Sequence, residues 1–276
     1  TAVDTQGGEW VKQKAPVLTM KERACRVVVV NPQFRYAGTA TEDGSRLRSQ
    51  AVDFGSIGMD VVDATVDGRS GIFLLDDRRV YAYRFSGHEL QPLGEFSFPM
   101  TSQNLSIRSL ARPSGRAWII VNGVDAKGAP AATILTFNGS EFQVVMKNVK
   151  YYLNVVKLPP TYAPVLVGQE AAPPRLFKGG VSEMVSQGNT LVPSKGVALP
   201  PDSNVFNFVW LPSGRSSKDG EKIVTLTNNE KLRVHTSKFA RISQTSESYS
   251  GSAVGLEIAP SMPGLGRDTA TLASVF

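Results

Sequence analysis

The two histidines and the single cysteine are the side chains of this sequence best suited to act as bases, nucleophiles or metal ligands. His88 and His235 lie in separate segments, and neither has a second histidine or a cysteine nearby in the sequence. Because imidazole chemistry needs a partner group, this isolation favours a surface or hairpin-packing role. Cys25 lies between Arg23 and Arg26, cations that favour a thiolate, but the pattern is more typical of a small apolar residue at the start of a strand. A single cysteine excludes an internal disulfide.

Carboxylates are the second group able to do chemistry. The pair Asp76–Asp77 precedes Arg78–Arg79, and because adjacent side chains in a turn point apart, the pattern predicts a solvated charge cluster. Asp53, Asp60 and Asp63 fall near a predicted strand where they could face a channel and support glycoside chemistry, the weaker alternative. No nucleophile elbow, phosphate-binding loop or paired-histidine helix motif occurs.

The elements that must position these residues repeat along the chain. Residues 80–93 (VYAYRFSGHELQPL) align with residues 132–145 (ATILTFNGSEFQVV), so that Tyr83–Leu90 lies over Leu135–Phe142. Each segment is an alternating strand, a Ser-Gly or Asn-Gly turn, and a return strand. A unit that recurs with the same turn chemistry indicates a supersecondary structure stacked on copies of itself.

Four short apolar runs mark the buried strand of each repeat, and the steps between them are 47, 46 and 58 residues from Ile72 onwards. Each run follows an opening strand and precedes a hairpin. Four strands per unit at about 45–58 residues predict an all-β fold, a β-propeller or part of one, with a β-sandwich as the alternative. Only a stretch around residues 15–23 is a candidate for a helical turn. The runs are Gly71–Leu75, Ala117–Val121, Pro164–Gly168 and Lys222–Leu226.

The repeats divide the chain into a short first segment and a propeller region. Residues 1–50 are predicted to be a linker, a closing strand or the end of a preceding domain. Residues 51–276 are predicted to contain the blades, with boundaries at 51–100, 101–149, 150–199 and 200–252, and a partial fifth blade at 253–276. Because four blades make a small ring, either residues 1–50 close the ring or the sequence is an interior piece of a longer protein. The apolar strand pattern at Ala273–Phe276 favours the second interpretation.

Composition narrows the classes of partner. The net charge of +6 is mild, and the basic residues are scattered without a stacking aromatic array, which does not favour nucleic-acid binding. No apolar run is long enough to span a membrane as a helix. No signal peptide is visible at the first residues. The 25 glycines and 17 prolines are typical of a protein with many turns.

The segment from Asp63 to Ile72, DATVDGRSGI, resembles the loop of the FG-GAP/VCBS repeat family, D-x-[DN]-x-D-G-x-x-[DE], which runs into an apolar strand. In that family the loop oxygens surround Ca²⁺, so the resemblance implies Asp63 and Asp67 as calcium ligands. Thr65 and Gly71 stand where the family has further acids. The corresponding turns of the later blades have even fewer carboxylates, and there the pattern favours ordinary Asx and Ser turns.

The resemblance extends as a pattern of blades from Ser49 to Ser252, including the run Asp76–Arg84. It implies an exported protein, in the periplasm or at the outer membrane of a Gram-negative bacterium. Because no catalytic constellation accompanies the scaffold, we expect a non-catalytic binding module for a protein partner, with no cofactor unless Ca²⁺ binds in the first blade. The alternatives are a carbohydrate-binding or glycoside-processing propeller, with strand aromatics such as Tyr81 and Tyr83 as a stacking platform, and a structural subunit of a larger surface assembly.

Overall fold

The computed structural model of the chain describes the backbone in fourteen segments with gaps between them. They are residues 10–12, 17–21, 26–30, 34–36, 47–51, 58–66, 69–86, 89–113, 116–172, 175–212, 220–227, 232–244, 255–259 and 271–275. Every regular element within these segments is a β-strand, which confirms the predicted all-β class. The chain divides into two compact units, Thr1–Lys150 and Tyr151–Phe276.

The first five strands form two small sheets in the first unit. The strands β1 and β4 pair, and β2 lies between β3 and β5 in an antiparallel sheet of three strands. The predicted helical turn around residues 15–23 is wrong, because Val17–Lys21 pairs along its whole length with a strand on each side. The bounds are β1 (Trp10–Lys12), β2 (Val17–Lys21), β3 (Arg26–Val30), β4 (Phe34–Tyr36) and β5 (Leu47–Ala51).

Four antiparallel sheets of four strands then follow in chain order, each joined strand to next strand as a meander. Sheet one contains β6 (Gly58–Val66), β7 (Arg69–Leu75), β8 (Arg79–Ser86) and β9 (Glu89–Ser97). Sheet two contains β10 (Gln103–Leu110), β11 (Trp118–Val124), β12 (Ala132–Phe137) and β13 (Phe142–Val149). Sheet three contains β14 (Tyr151–Lys157), β15 (Pro164–Ala172), β16 (Arg175–Gln187) and β17 (Thr190–Gly196). Sheet four contains β18 (Phe208–Leu211), β19 (Lys222–Leu226), β20 (Leu232–Thr236) and β21 (Arg241–Gln244).

The core of the first unit lies between sheets one and two. Alternate side chains of β7 and β8 form one apolar face of sheet one. This face packs against one face of sheet two, so the apolar side chains of both faces are removed from water. Phe73 packs edge-on against Phe137 and Phe142, with ring centroids 6.0 Å apart in both pairs. The first strands β6 and β10 also neighbour each other. The buried members are Phe73, Leu75, Val80, Ala82, Phe98, Ile107, Ala117, Ile119, Val121, Leu135 and Phe137.

Three aromatic rings, one buried and two partly buried, pack together in the second unit. Tyr152 of β14, Phe177 of β16 and Phe206, which precedes β18, form a triangle with ring centroids 5.6 to 6.1 Å apart. Gly168 allows the close approach of β15 to its neighbours, because a Cβ there would lie 2.9 Å from Met184 Sδ. The hairpin predicted after the third buried run is the pair β16–β17, which contains a register shift between Glu183 and Met184.

One further pair of strands, β22 (Gly255–Ala259) and β23 (Thr271–Val275), forms an antiparallel sheet in the second unit. The strand β22 neighbours β18 and β19 of sheet four. Residues 253–276, predicted to be a partial fifth blade, therefore contain two paired strands. Among the described residues, no helix is both long enough and apolar enough to cross a membrane.

Candidate functional sites

The predicted calcium loop falls largely outside the described residues. Asp63 lies within β6, and only its backbone is described, while Asp67 is outside the described segments. The pairing of β6 with β7 shifts register between Val62 and Val66, so Asp63 lies where the ladder is irregular. The described residues do not test the weak calcium site that the resemblance implies at Asp63 and Asp67, and an ordinary Asx turn stays the favoured interpretation of this loop.

The turn between β10 and β11 of sheet two, which is equivalent to the predicted calcium loop of sheet one, contains cations and an aromatic ring. Trp118 begins β11 opposite Leu110, and the Arg112 guanidinium carbon lies 4.3 Å from the centre of the indole ring. This is a cation–π contact. Arg116 donates a hydrogen bond to Gln143 Oε1 at 3.2 Å. These described side chains are engaged in contacts within their own sheet and present no carboxylate to a cation.

In the second unit, the turns that follow β14 and β18 are joined by a phenol–carboxylate hydrogen bond. Tyr162 Oη donates to Glu221 Oε1 at 2.9 Å. Burial, and then the Glu221 carboxylate, raises the pKa of the Tyr162 phenol. The peptide bond Pro159–Pro160 before Tyr162 is cis. The hydrogen bond fastens the turns of two successive sheets together.

The Asp76–Asp77 turn between β7 and β8 is more ordered than a solvated charge cluster. Asp77 matches the prediction, since its exposed carboxylate lies 3.6 Å from Arg78 Nε. Asp76 does not, because its Oδ1 accepts hydrogen bonds from the backbone N–H groups of Arg78 and Arg79. Its Oδ2 accepts one from Tyr81 Oη at 2.8 Å. Burial, with the Asp76 hydrogen bond and charge, raises the pKa of Tyr81 to about 12.

The same turn holds the segment that leads into sheet two. Asn104 Nδ2 donates to the carbonyl of Asp76 at 3.2 Å, and the Asn104 backbone N–H donates to the carbonyl of Asp77 at 3.1 Å. The Phe98 N–H donates to the carbonyl of Arg78 at 2.9 Å. These bonds satisfy a buried amide and fix where β10 begins relative to β7.

An equivalent connection joins sheet three to the segment that leads into sheet four. Gln169 Oε1 accepts from the Val205 N–H at 3.0 Å, and Gln169 Nε2 donates to the Gly179 carbonyl at 2.8 Å. Asn154 Nδ2 donates to the Val205 carbonyl at 2.9 Å. Buried amides therefore form hydrogen bonds with both backbone polar groups of Val205 and so hold the connecting segment against sheet three.

Of the two histidines, the structure describes only His235. His88 lies outside the described residues. His235 is buried in β20, where its Nε2 lies 3.1 Å from Thr225 Oγ1, which agrees with a packing role. Burial lowers the pKa of His235, a hydrogen bond between the imidazole and the Phe239 backbone opposes this, and the Arg233 and Arg241 charges lower the pKa further.

Sequence reasoning missed the buried amides, although a signal for them was present. Asn104, Asn154 and Gln169 interrupt otherwise apolar or alternating strands, and a buried amide in such a place needs hydrogen-bond partners. The partners lie far along the chain, so the sequence alone does not name them.

Within the described segments, no group of three or more His, Cys, Asp or Glu residues is arranged to hold a metal ion.

Comparison with known proteins adds no family to this description: no protein-family model matches the chain, and no curated protein matches it.

Proposed function

We propose that the chain is a β-propeller, or a portion of one, of the FG-GAP/VCBS kind. Four meander sheets in chain order support this, because they have the strand number and strand order of propeller blades. Within the first unit β6 neighbours β10, and within the second β14 neighbours β18, as the inner strands of adjacent blades do. The apolar packing of sheet one against sheet two supports the same arrangement.

Its function, in this proposal, is that of a non-catalytic scaffold that presents loops to a protein partner in the bacterial cell envelope. The observation that carries this is the use of the buried amides: Asn104 is bonded to the turn between β7 and β8, and Asn154 and Gln169 are bonded to Val205 in the segment that leads into sheet four. Buried amides that form hydrogen bonds within the protein make the sheets rigid. Rigid sheets hold their loops in fixed positions for recognition. The cellular location rests on the family resemblance alone.

Candidate contact residues are large apolar side chains that remain in water. Met100, in the segment between sheets one and two, is 81% exposed, Leu176 of β16 is 63% exposed, and Ile242 of β21 is 51% exposed. Single exposed apolar residues are common on protein surfaces. Their role therefore has to be decided by substitution.

The test begins with the protein isolated from its native source under mild cross-linking, with the cross-linked protein identified by mass spectrometry. Binding of that protein, once purified, is then measured for Met100→Glu, Leu176→Glu and Ile242→Glu. Gln143→Glu, a change at an exposed residue of β13, is the matched control. We expect at least one of the three to weaken binding more than tenfold with an unchanged thermal midpoint. The proposal fails if no protein binds while a glycan is bound or hydrolysed.

A further inference from the structure

Met100 combines an exposed sulfur atom with an adjacent hydrogen-bond donor. It lies in the segment between sheets one and two and is 81% exposed, whereas Met146 and Met184 are only 4% and 7% exposed. Oxidants in solution reach an exposed thioether more readily than a buried one. Among the methionines whose exposure the structure describes, Met100 is therefore the one placed to react.

The backbone around Met100 is held in place by hydrogen bonds. The Ser102 N–H and the Ser102 hydroxyl both donate to the Pro99 carbonyl, at 3.0 Å and 2.8 Å. The Phe98 N–H donates to the carbonyl of Arg78 at 2.9 Å. Met100 therefore lies in a turn whose position relative to the turn between β7 and β8 is fixed.

The donor next to the sulfur is the guanidinium of Arg78. Its Nη1 donates to the Met100 carbonyl at 2.6 Å and lies 3.6 Å from Met100 Sδ. Its Nε lies 3.6 Å from the Asp77 carboxylate, so a second contact orients the guanidinium. Because a thioether is only a weak acceptor, the carbonyl is the stronger partner of Nη1 while the sulfur is reduced.

Oxidation converts this weak acceptor into a strong one. In methionine sulfoxide the sulfur carries a polar oxygen atom. A hydrogen bond from a guanidinium to such an oxygen is charge-assisted and stronger than one between neutral groups. An oxygen on the side of Met100 Sδ that faces Arg78 Nη1 lies within hydrogen-bond distance of it, because the 3.6 Å between sulfur and nitrogen leaves room for it.

We propose that Met100 is a site of oxidation by hydrogen peroxide and that Arg78 binds the sulfoxide that forms. The sulfur donates an electron pair to one peroxide oxygen, and the O–O bond breaks as the S–O bond forms. The second oxygen takes up the proton of the transferred oxygen and leaves as water, so the sulfur is oxidised and the peroxide reduced by two electrons. The new hydrogen bond strengthens the connection between the β7–β8 turn and the segment that leads into sheet two. This inference does not depend on the proposed scaffold function.

The first measurement is peptide mapping by mass spectrometry after the folded full chain is treated with hydrogen peroxide. We expect Met100 to gain one oxygen atom about tenfold faster than the buried Met146 and Met184. Met100→Leu, which has no sulfur at this position, is treated in the same way, so that the effects of oxidation at the other methionines are subtracted.

The second measurement is hydrogen exchange at the Phe98 and Asn104 amides, which donate to the carbonyls of Arg78 and Asp77. Exchange at both amides should slow about two- to fivefold in the oxidised chain, because one charge-assisted hydrogen bond is gained near the surface. Met100→Gln, whose side-chain carbonyl oxygen takes the place of the sulfoxide oxygen, should show the same slowing without peroxide.

Substitution of the guanidinium separates its role from that of the sulfoxide alone. Arg78→Gln keeps the Met100 sulfur but removes the donor, so peroxide should no longer slow exchange at the two amides. Arg84→Gln is the matched control and should retain the slowing. It also removes a guanidinium of sheet one that forms a side-chain hydrogen bond, from Arg84 Nε to Gln91 Oε1 at 3.0 Å.

Three results would overturn the proposal. The first is oxidation of Met100 at the same rate as the two buried methionines. The second is exchange at the two amides that peroxide leaves unchanged or accelerates in the wild-type chain. The third is equal slowing in Arg78→Gln and Arg84→Gln, which would show that the sulfoxide acts without the guanidinium.

Discussion

Gly94 of β9 lies directly against the backbone of Ser140 in the turn between β12 and β13: a Cβ atom at Gly94 would lie 2.8 Å from the Ser140 carbonyl oxygen. The same Cβ would lie 3.5 Å from Phe137 Cε2. The outer hairpin of sheet two can therefore approach sheet one only because this residue has no side chain. The Asn138 carboxamide holds the turn, since its Oδ1 accepts from the N–H groups of Ser140 and Glu141.

Gly94→Ala should destabilise the first unit by about 1–3 kcal/mol, because backbone atoms of a hydrogen-bonded turn would have to move. Denaturant unfolding monitored by circular dichroism measures the change. Gly196→Ala is the matched control in an outer strand, since a Cβ there meets nothing within 4 Å. Equal stability of the two variants would show that the sheets do not pack as described.

Gln169→Leu should destabilise the second unit by about 1–3 kcal/mol, because the Val205 N–H and the Gly179 carbonyl would lose their partner inside the protein. Hydrogen exchange at the Val205 amide should accelerate in parallel. The control is Gln143→Leu, which removes an exposed amide that accepts from Arg116. Unchanged exchange at Val205 would contradict the role given to Gln169.

Tyr81 should ionise well after an ordinary tyrosine. Its pKa is raised from 10.0 to about 12, so the neutral phenol is favoured by folding, and this contribution is complete below pH 10 and lost as pH rises through about 12. The phenolate absorbance of the native chain should therefore contain a late step that Tyr81→Phe removes. Tyr81→Phe should also make stability less sensitive to pH across that interval. A Tyr81→Phe variant that instead loses a step near the ordinary pKa of 10.0 would contradict the Asp76–Tyr81 hydrogen bond.

Calcium should not raise the thermal midpoint of the protein. The predicted loop has two carboxylates, Asp63 and Asp67, where the resembling family has more, and fewer anionic ligands offset less of the cost of dehydrating Ca²⁺. The measurement is differential scanning calorimetry with calcium and with a chelator. A midpoint that rises with calcium, and no longer rises in Asp63→Asn, would establish the site.

The strand pattern predicted much of the fold. The alignment of Tyr83–Leu90 on Leu135–Phe142 marked two real hairpins, β8–β9 and β12–β13, since alternation and a glycine turn are local properties. The four buried runs are the second strands of the four sheets. The helical turn around residues 15–23 failed because strand pairing on both sides overrides weak local preference.

The candidate sites were harder to predict, because their geometry depends on interactions between distant segments. Asp76 and Asn104 are 28 residues apart, and Gln169 and Val205 are 36 apart. No local pattern encodes such a pairing. His235 was expected to pack in a hairpin and does, but its contact with Thr225 of β19 emerges only from strand pairing.

The propeller arrangement is the central claim, and an experimental structure of the natural-length protein, by crystallography or electron cryomicroscopy, tests it most directly. The account predicts that the four sheets follow one another face to face around a common axis, with β6, β10, β14 and β18 innermost. Sheets paired instead into a two-layer sandwich, with no shared axis for these four strands, would contradict it.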